Sequence, residues 1–94
     1  MMEIQAKRIT VHGMVQGVGF RYFVHQAGTE YGLTGNTRNC PDGTVEIIVE
    51  GNAKKIADFL GKVECGPARS RVERVEIEDI PETGAYDSFL VEGR

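Results

Sequence analysis

The sequence predicts an α+β fold in which two helices cover one face of a mainly antiparallel sheet. Three features carry this prediction. Several short segments alternate apolar and polar residues, two longer ones repeat their apolar residues at helical spacing, and together they run β-α-β-β-α-β with a further strand at the end. At 94 residues, 40% hydrophobic and 27% charged, the chain is expected to form one domain over residues 1–94. A domain this small buries only ~60–70% of the surface its unfolded chain exposes, so every element must serve a single core. No repeat, linker or low-complexity tract divides the sequence.

Gln5 to His12 reads as the first strand, with Ile9 and Val11 alternating against Arg8, Thr10 and His12 until Gly13, Gly17 and Gly19 interrupt. From Phe20 the residues Phe20, Phe23, Val24, Ala27 and Tyr31 fall at offsets 0, 3, 4, 7 and 11, one side of a helix that should stop near Gly32. Gly28 lies inside that pattern at a cost of about 1 kcal/mol relative to alanine, which predicts a close contact with the sheet. Thr34 to Asn39 and Thr44 to Glu50 bracket Cys40-Pro41-Asp42-Gly43, a turn composition that makes them a hairpin. Asn52 can cap a second helix carrying Ile56, Phe59, Leu60 and Val63, with Gly66-Pro67 beyond its end. Val72 to Glu78 gives a strand with Val75 and Ile77 on one side, and Ser88 to Glu92 gives a short last strand. This order is the split βαβ, or ferredoxin-like, pattern with an added C-terminal strand.

Composition narrows the function. No stretch approaches the ~18–20 apolar residues of a membrane span, and the start, Met1-Met2-Glu3-Ile4, lacks the apolar core of a secretory signal, so no membrane partner and a cytoplasmic location are expected. A net charge of −3 argues against broad attraction to nucleic acid. Cys40 and Cys65 stand 25 positions apart, outside any CxxC arrangement, and are expected to stay reduced. With only two histidines and no close ligand pair, no metal site is expected.

The most informative segment is Gly13-Met14-Val15-Gln16-Gly17-Val18-Gly19-Phe20-Arg21, which joins a strand to a helix where several backbone N–H groups have no intrahelical partner. Such a turn can cradle an anion. Gly17 and Gly19 permit positive φ and close approach, so consecutive amides can converge on one oxyanion at the positive end of the helix dipole. The planar guanidinium of Arg21 can then bind two oxygens of that anion. The segment lacks the Gly-Lys-Ser/Thr ending of a nucleotide P-loop, and Tyr22 stands where a dinucleotide fingerprint needs its third glycine.

Val11-His12-Gly13-Met14-Val15-Gln16-Gly17-Val18-Gly19-Phe20-Arg21 resembles the phosphate-loop signature of the acylphosphatase family, and Arg38-Asn39-Cys40-Pro41-Asp42-Gly43-Thr44-Val45 resembles its second signature. Gly66-Pro67 through Val72 is similar to the family's connection before the fourth strand. The likeness spans nearly the whole chain. It implies hydrolysis of small acyl phosphates by a monomer without metal or other cofactor, with the Arg21 guanidinium and the amides of Gln16, Gly17, Val18, Gly19, Phe20 and Arg21 holding phosphate and Asn39 positioning water. Departing carboxylates have conjugate-acid pKa values of ~4–5, so the leaving group needs no general acid.

Two departures from the family pattern are expected to act on packing. Asn36-Thr37 stands where the family has an aromatic residue followed by valine, and the chain finishes Phe89-Leu90-Val91-Glu92-Gly93-Arg94 instead of an Arg-aromatic pair. His12 and His25 are read as packing or surface groups, because the reaction needs no protein base. Rival readings on the same topology are a non-catalytic module binding acyl or carbamoyl phosphate and a nucleic-acid-binding domain. The latter needs aromatic residues clustered on its strands, and these strands have none.

Overall fold

The computed structural model describes residues 3–93. Met1, Met2 and Arg94, the last residue of the C-terminal departure, lie outside them. The elements are β1 (Ile4–Met14), α1 (Phe20–Glu30), β2 (Thr34–Asn39), β3 (Val45–Asn52), α2 (Ala53–Cys65), β4 (Arg71–Ile80) and β5 (Phe89–Val91). They form a five-stranded sheet in the order β4-β1-β3-β2-β5. Neighbours pair antiparallel except β2 and β5, which run parallel. The ferredoxin-like arrangement with an added edge strand is thus the observed one.

Alternation along the strands places the core. Ile9 and Val11 of β1 stand opposite Ile47 and Val45 of β3, and all four are buried under Phe20, Val24 and Ala27 of α1 and Ile56, Phe59 and Val63 of α2. Burying each large apolar side chain contributes ~1.5–3 kcal/mol, which outweighs the weak propensity of a helix interrupted by Gly28. That glycine makes the predicted contact: a Cβ there would overlap the ring of Phe89 in β5. Asn52 caps α2 as expected, its Oδ1 accepting from the N–H of Lys54 at 2.8 Å and of Lys55 at 3.1 Å.

Two expectations change. The first strand does not end at Gly13 but runs on to Met14 through a bulge between His12 and Gly13, where a side chain would overlap the backbone of Arg71. The bulge absorbs the irregular residue while keeping β1 paired with β4. In β4, the predicted apolar side is only partly covered, because the strand is an edge with few neighbours from the helices: Val75 is half-buried and Ile77 is exposed. Cys40, half-buried in the β2–β3 turn, and Cys65, exposed at the end of α2, are both free thiols.

The connection from β4 to β5 is fixed from below by one buried carboxylate. Glu50 accepts from the N–H of Thr83 at 3.1 Å, the hydroxyl of Thr83 at 2.9 Å and the N–H of Gly84 at 3.0 Å. Burial pushes its pKa up, but these donors outweigh burial and hold it below the ordinary carboxylate value. A depressed folded-state pKa stabilises the fold above the unfolded-state pKa, and the contribution is lost as pH falls through the folded value. Glu50→Gln should therefore lower stability by ~1–3 kcal/mol at neutral pH, since an amide cannot accept all three bonds. Urea midpoints at neutral pH and at about pH 3 should show the gap to wild type narrowing on acidification; a widening gap contradicts this account.

Candidate active site

Between β1 and α1 the chain turns through Val15 to Gly19. Val15 is buried and pins the turn to the core, while Gly17 (φ +74°) and Gly19 (φ +78°) are left-handed. A Cβ at either glycine would meet nothing within 4 Å, so it is the backbone conformation and not space that calls for glycine. Any other residue would be strained there by ~1–2 kcal/mol. Because Gly19 is the N-cap of α1, no side chain caps the helix. Among the described residues, none of the turn and cap backbone hydrogen bonds uses the amides of residues 16–20. These N–H groups stay available to an anion at the positive end of α1.

The fold brings the two predicted side chains to this turn. Gly17, Gly19, Arg21 and Asn39 line one cavity of about 180 Å³, together with Tyr22 and Val91. Its volume falls below the ~300–1,000 Å³ typical of sites for drug-sized ligands and suits a small anion with a short substituent. Arg21 leaves the first turn of α1, and its guanidinium Nη1 donates to the backbone carbonyl of Glu92, just beyond β5. Asn39 ends β2, where its backbone pairs with Val45. Its carboxamide Oδ1 is buried without a hydrogen-bond partner among the described residues. A buried acceptor left unpaired costs ~1–3 kcal/mol, and a donor such as water would relieve that cost.

A larger hollow of about 540 Å³ runs along the outer side of α1, lined by Tyr22, His25, Gln26, Thr29 and Glu30. It contains neither the free amides nor Arg21. Convergence of donors, not size, therefore selects the smaller cavity.

Against known proteins, a family model described as Acylphosphatase matches residues 7–91. The chain belongs to the acylphosphatase family. An acylphosphatase from Koribacter versatilis is 46% identical over 90 residues, covering 95% of this chain and 81% of the relative. The crystal structure of acylphosphatase from Bacillus subtilis superposes with a TM-score of 0.90 at 33% identity, covering 97% of this chain and all of that one. The crystal structure of HypF from T. kodakarensis superposes with a TM-score of 0.83 at 35% identity, with 96% of this chain matching 12% of that longer one.

Within this acylphosphatase-family site the loop residues divide by what they present. The ring of Phe20 is buried, which leaves this residue only its main chain to offer the cavity, while Val18 packs against the core and, like Gln16, is not among the residues that line the cavity. Gln16 does something the sequence did not disclose. Its side-chain Nε2 donates to the carbonyls of Cys40 at 2.8 Å and Thr44 at 2.9 Å, tying the glycine turn to the turn that follows Asn39. Asp42 braces that second turn by accepting from the Thr44 hydroxyl at 2.7 Å and the Thr44 amide at 3.0 Å, which hold its pKa below the usual value.

The histidines lie elsewhere. His12 bonds Glu76 at 2.9 Å, and Nδ1 of His25 is 2.8 Å from the carbonyl of Phe89, linking α1 to β5. Neither lines the cavity. Val91 and the Glu92 carbonyl were also missed, because only the pairing of β5 with β2 brings the chain's end to Arg21. Gln16→Ala should destabilise the protein by ~1–2 kcal/mol through the loss of both bonds, measured by urea denaturation, and an unchanged midpoint contradicts the clamp.

Proposed function

We propose that the chain hydrolyses small acyl phosphates to a carboxylate and inorganic phosphate in this cavity, as one domain over residues 1–94 without metal or cofactor. The observation that carries this reading is the convergence of unbonded loop amides, the Arg21 guanidinium and a buried, unpartnered Asn39 oxygen on a single small space. The amides of Gln16 to Arg21 and the guanidinium meet the phosphoryl oxygens. In phosphoryl transfer the protein chiefly orients reactants and stabilises charge on those oxygens, a task matched to these donors. Asn39 accepts a hydrogen bond from water and aims its oxygen at phosphorus without adding negative charge.

Bond changes then balance without a protein acid or base. The water oxygen bonds to phosphorus, the bond from phosphorus to the acyl oxygen breaks, and its electron pair leaves on the carboxylate. Both water protons end on the phosphate product, one as its hydroxyl and one on an oxygen of the substrate's own phosphoryl group. An acyl phosphate dianion and water thus give a carboxylate and a singly charged phosphate. A carboxylate is a stable anion at neutral pH, so no group need protonate it.

A site built from one chain supports a monomer, and two free thiols suit a reducing, cytoplasmic setting. The second reading is a domain that holds an acyl or carbamoyl phosphate without turning it over. Binding to nucleic acid fits less well. Glu46, Glu76 and Glu78 stand among the arginines of the open sheet face, bonded to Arg8, Arg38 and His12.

Acetyl phosphate turnover separates these readings. Arg21→Ala should lower kcat/KM by about 10³-fold and Asn39→Ala by about 10²-fold, with folding checked by thermal melts. Full turnover in both variants would refute the site, and phosphate binding with no turnover by wild type would select the binding module.

A further inference from the structure

Two side chains of β2 bury oxygens that the described residues leave without a hydrogen-bond partner, Oγ1 of Thr37 and Oδ1 of Asn39. Thr37 is 0% exposed. The large majority of buried polar side-chain atoms in native proteins are bonded to protein or to ordered water, so two such oxygens on one strand call for an explanation. They share a face of the sheet. Thr37 and Asn39 stand opposite Ile47 and Val45 of β3, which are buried beneath the helices. Thr37 is also paired with Val91 of β5, and both Val91 and Asn39 line the small cavity, whereas Thr37 does not. Its hydroxyl therefore lies behind the wall that carries Asn39.

Residues two apart along a strand are separated by about 6.5 Å, and one water making two hydrogen bonds of about 2.8 Å spans about 5.5 Å of that distance. The chemistry of the two atoms fits such a bridge. A hydroxyl donates one hydrogen bond and a carboxamide oxygen accepts two. The Thr37 O–H can thus donate to a water that donates to Asn39 Oδ1, leaving that oxygen a second lone pair for the water that attacks phosphorus. We infer that Thr37 is a positioning residue: through one buried water it fixes the orientation of the Asn39 carboxamide, and so the aim of the attacking water. This rests on the hydrolase reading above.

The need for a brace follows from the asparagine side chain itself. Its last torsion is broad and two-fold, and no protein group among the described residues bonds Oδ1. A half-turn would exchange Oδ1 with Nδ2 and present a donor where the attacking water needs an acceptor. The loop amides and Arg21 grip phosphate without the carboxamide, so the brace acts on the aim of water and leaves substrate affinity alone.

Acetyl phosphate kinetics on Thr37→Val and Thr37→Ser test this, because valine keeps the shape and removes the hydroxyl while serine keeps the hydroxyl. Thr37→Val should lower kcat about five- to tenfold with KM unchanged, and Thr37→Ser should stay within about twofold of wild type. In an Asn39→Ala background Thr37→Val should cost nothing further, since the carboxamide it holds is gone. A hydroxyl with only a structural role would shift the thermal midpoint and leave kcat as it was. Wild-type kcat in Thr37→Val, a loss confined to KM, or the same fold loss with and without the Asn39 carboxamide overturns the inference and leaves the hydrolase intact. A wild type that turns over no acetyl phosphate removes the hydrolase reading and this role with it.

Discussion

A pocket made from main-chain N–H groups can exist only where the backbone is prevented from satisfying them itself. In this protein that condition is met over a few residues. Two left-handed glycines turn β1 into α1 so sharply that, among the described residues, the amides of residues 16–20 take part in none of the turn and cap backbone bonds, and the glycine at the helix cap offers no side chain in compensation. The donors remain oriented by the helix and by the buried side chains of Val15 and Phe20 on either side. An anion is the natural partner for such an array, since the helix dipole and the amides favour the same sign of charge.

The rest of the fold keeps other groups in register with that turn. Gln16 ties it to the hairpin turn beyond Asn39, and Arg21 reaches from α1 to the carbonyl of Glu92. β5 owes its position to the parallel pairing with β2, to the contact between Gly28 and Phe89, and to the loop clamped by Glu50. A short edge strand of three residues has little stability by itself, so these separate fastenings are what bring its end to the site.

How much of this was readable beforehand follows the range of the interactions involved. Strand alternation, helical spacing and the Asn52 cap are local patterns, and all seven elements formed near their expected places. The glycine turn and Arg21 were legible because the whole cradle is contiguous, and Asn39 entered through its resemblance to a second family signature. The Gln16 clamp was not legible: its acceptors lie 24 and 28 residues away, and a glutamine in a glycine turn has many possible partners. Val91 was hidden for the same reason, since only the pairing of β5 with β2 brings it to the cavity. Ile77 failed in the opposite sense, because its pattern was correct but its strand became an edge that the helices cover only in part.

The most direct test of an amide-built phosphate site is a titration of ¹⁵N-labelled protein with inorganic phosphate, followed by amide chemical shifts. The account predicts that the largest saturable changes fall on the amides of Gln16 to Arg21, with the Asn39 side chain following at the same midpoint. Saturable shifts confined to another surface, or no shift in the turn at phosphate concentrations that inhibit turnover, would contradict it.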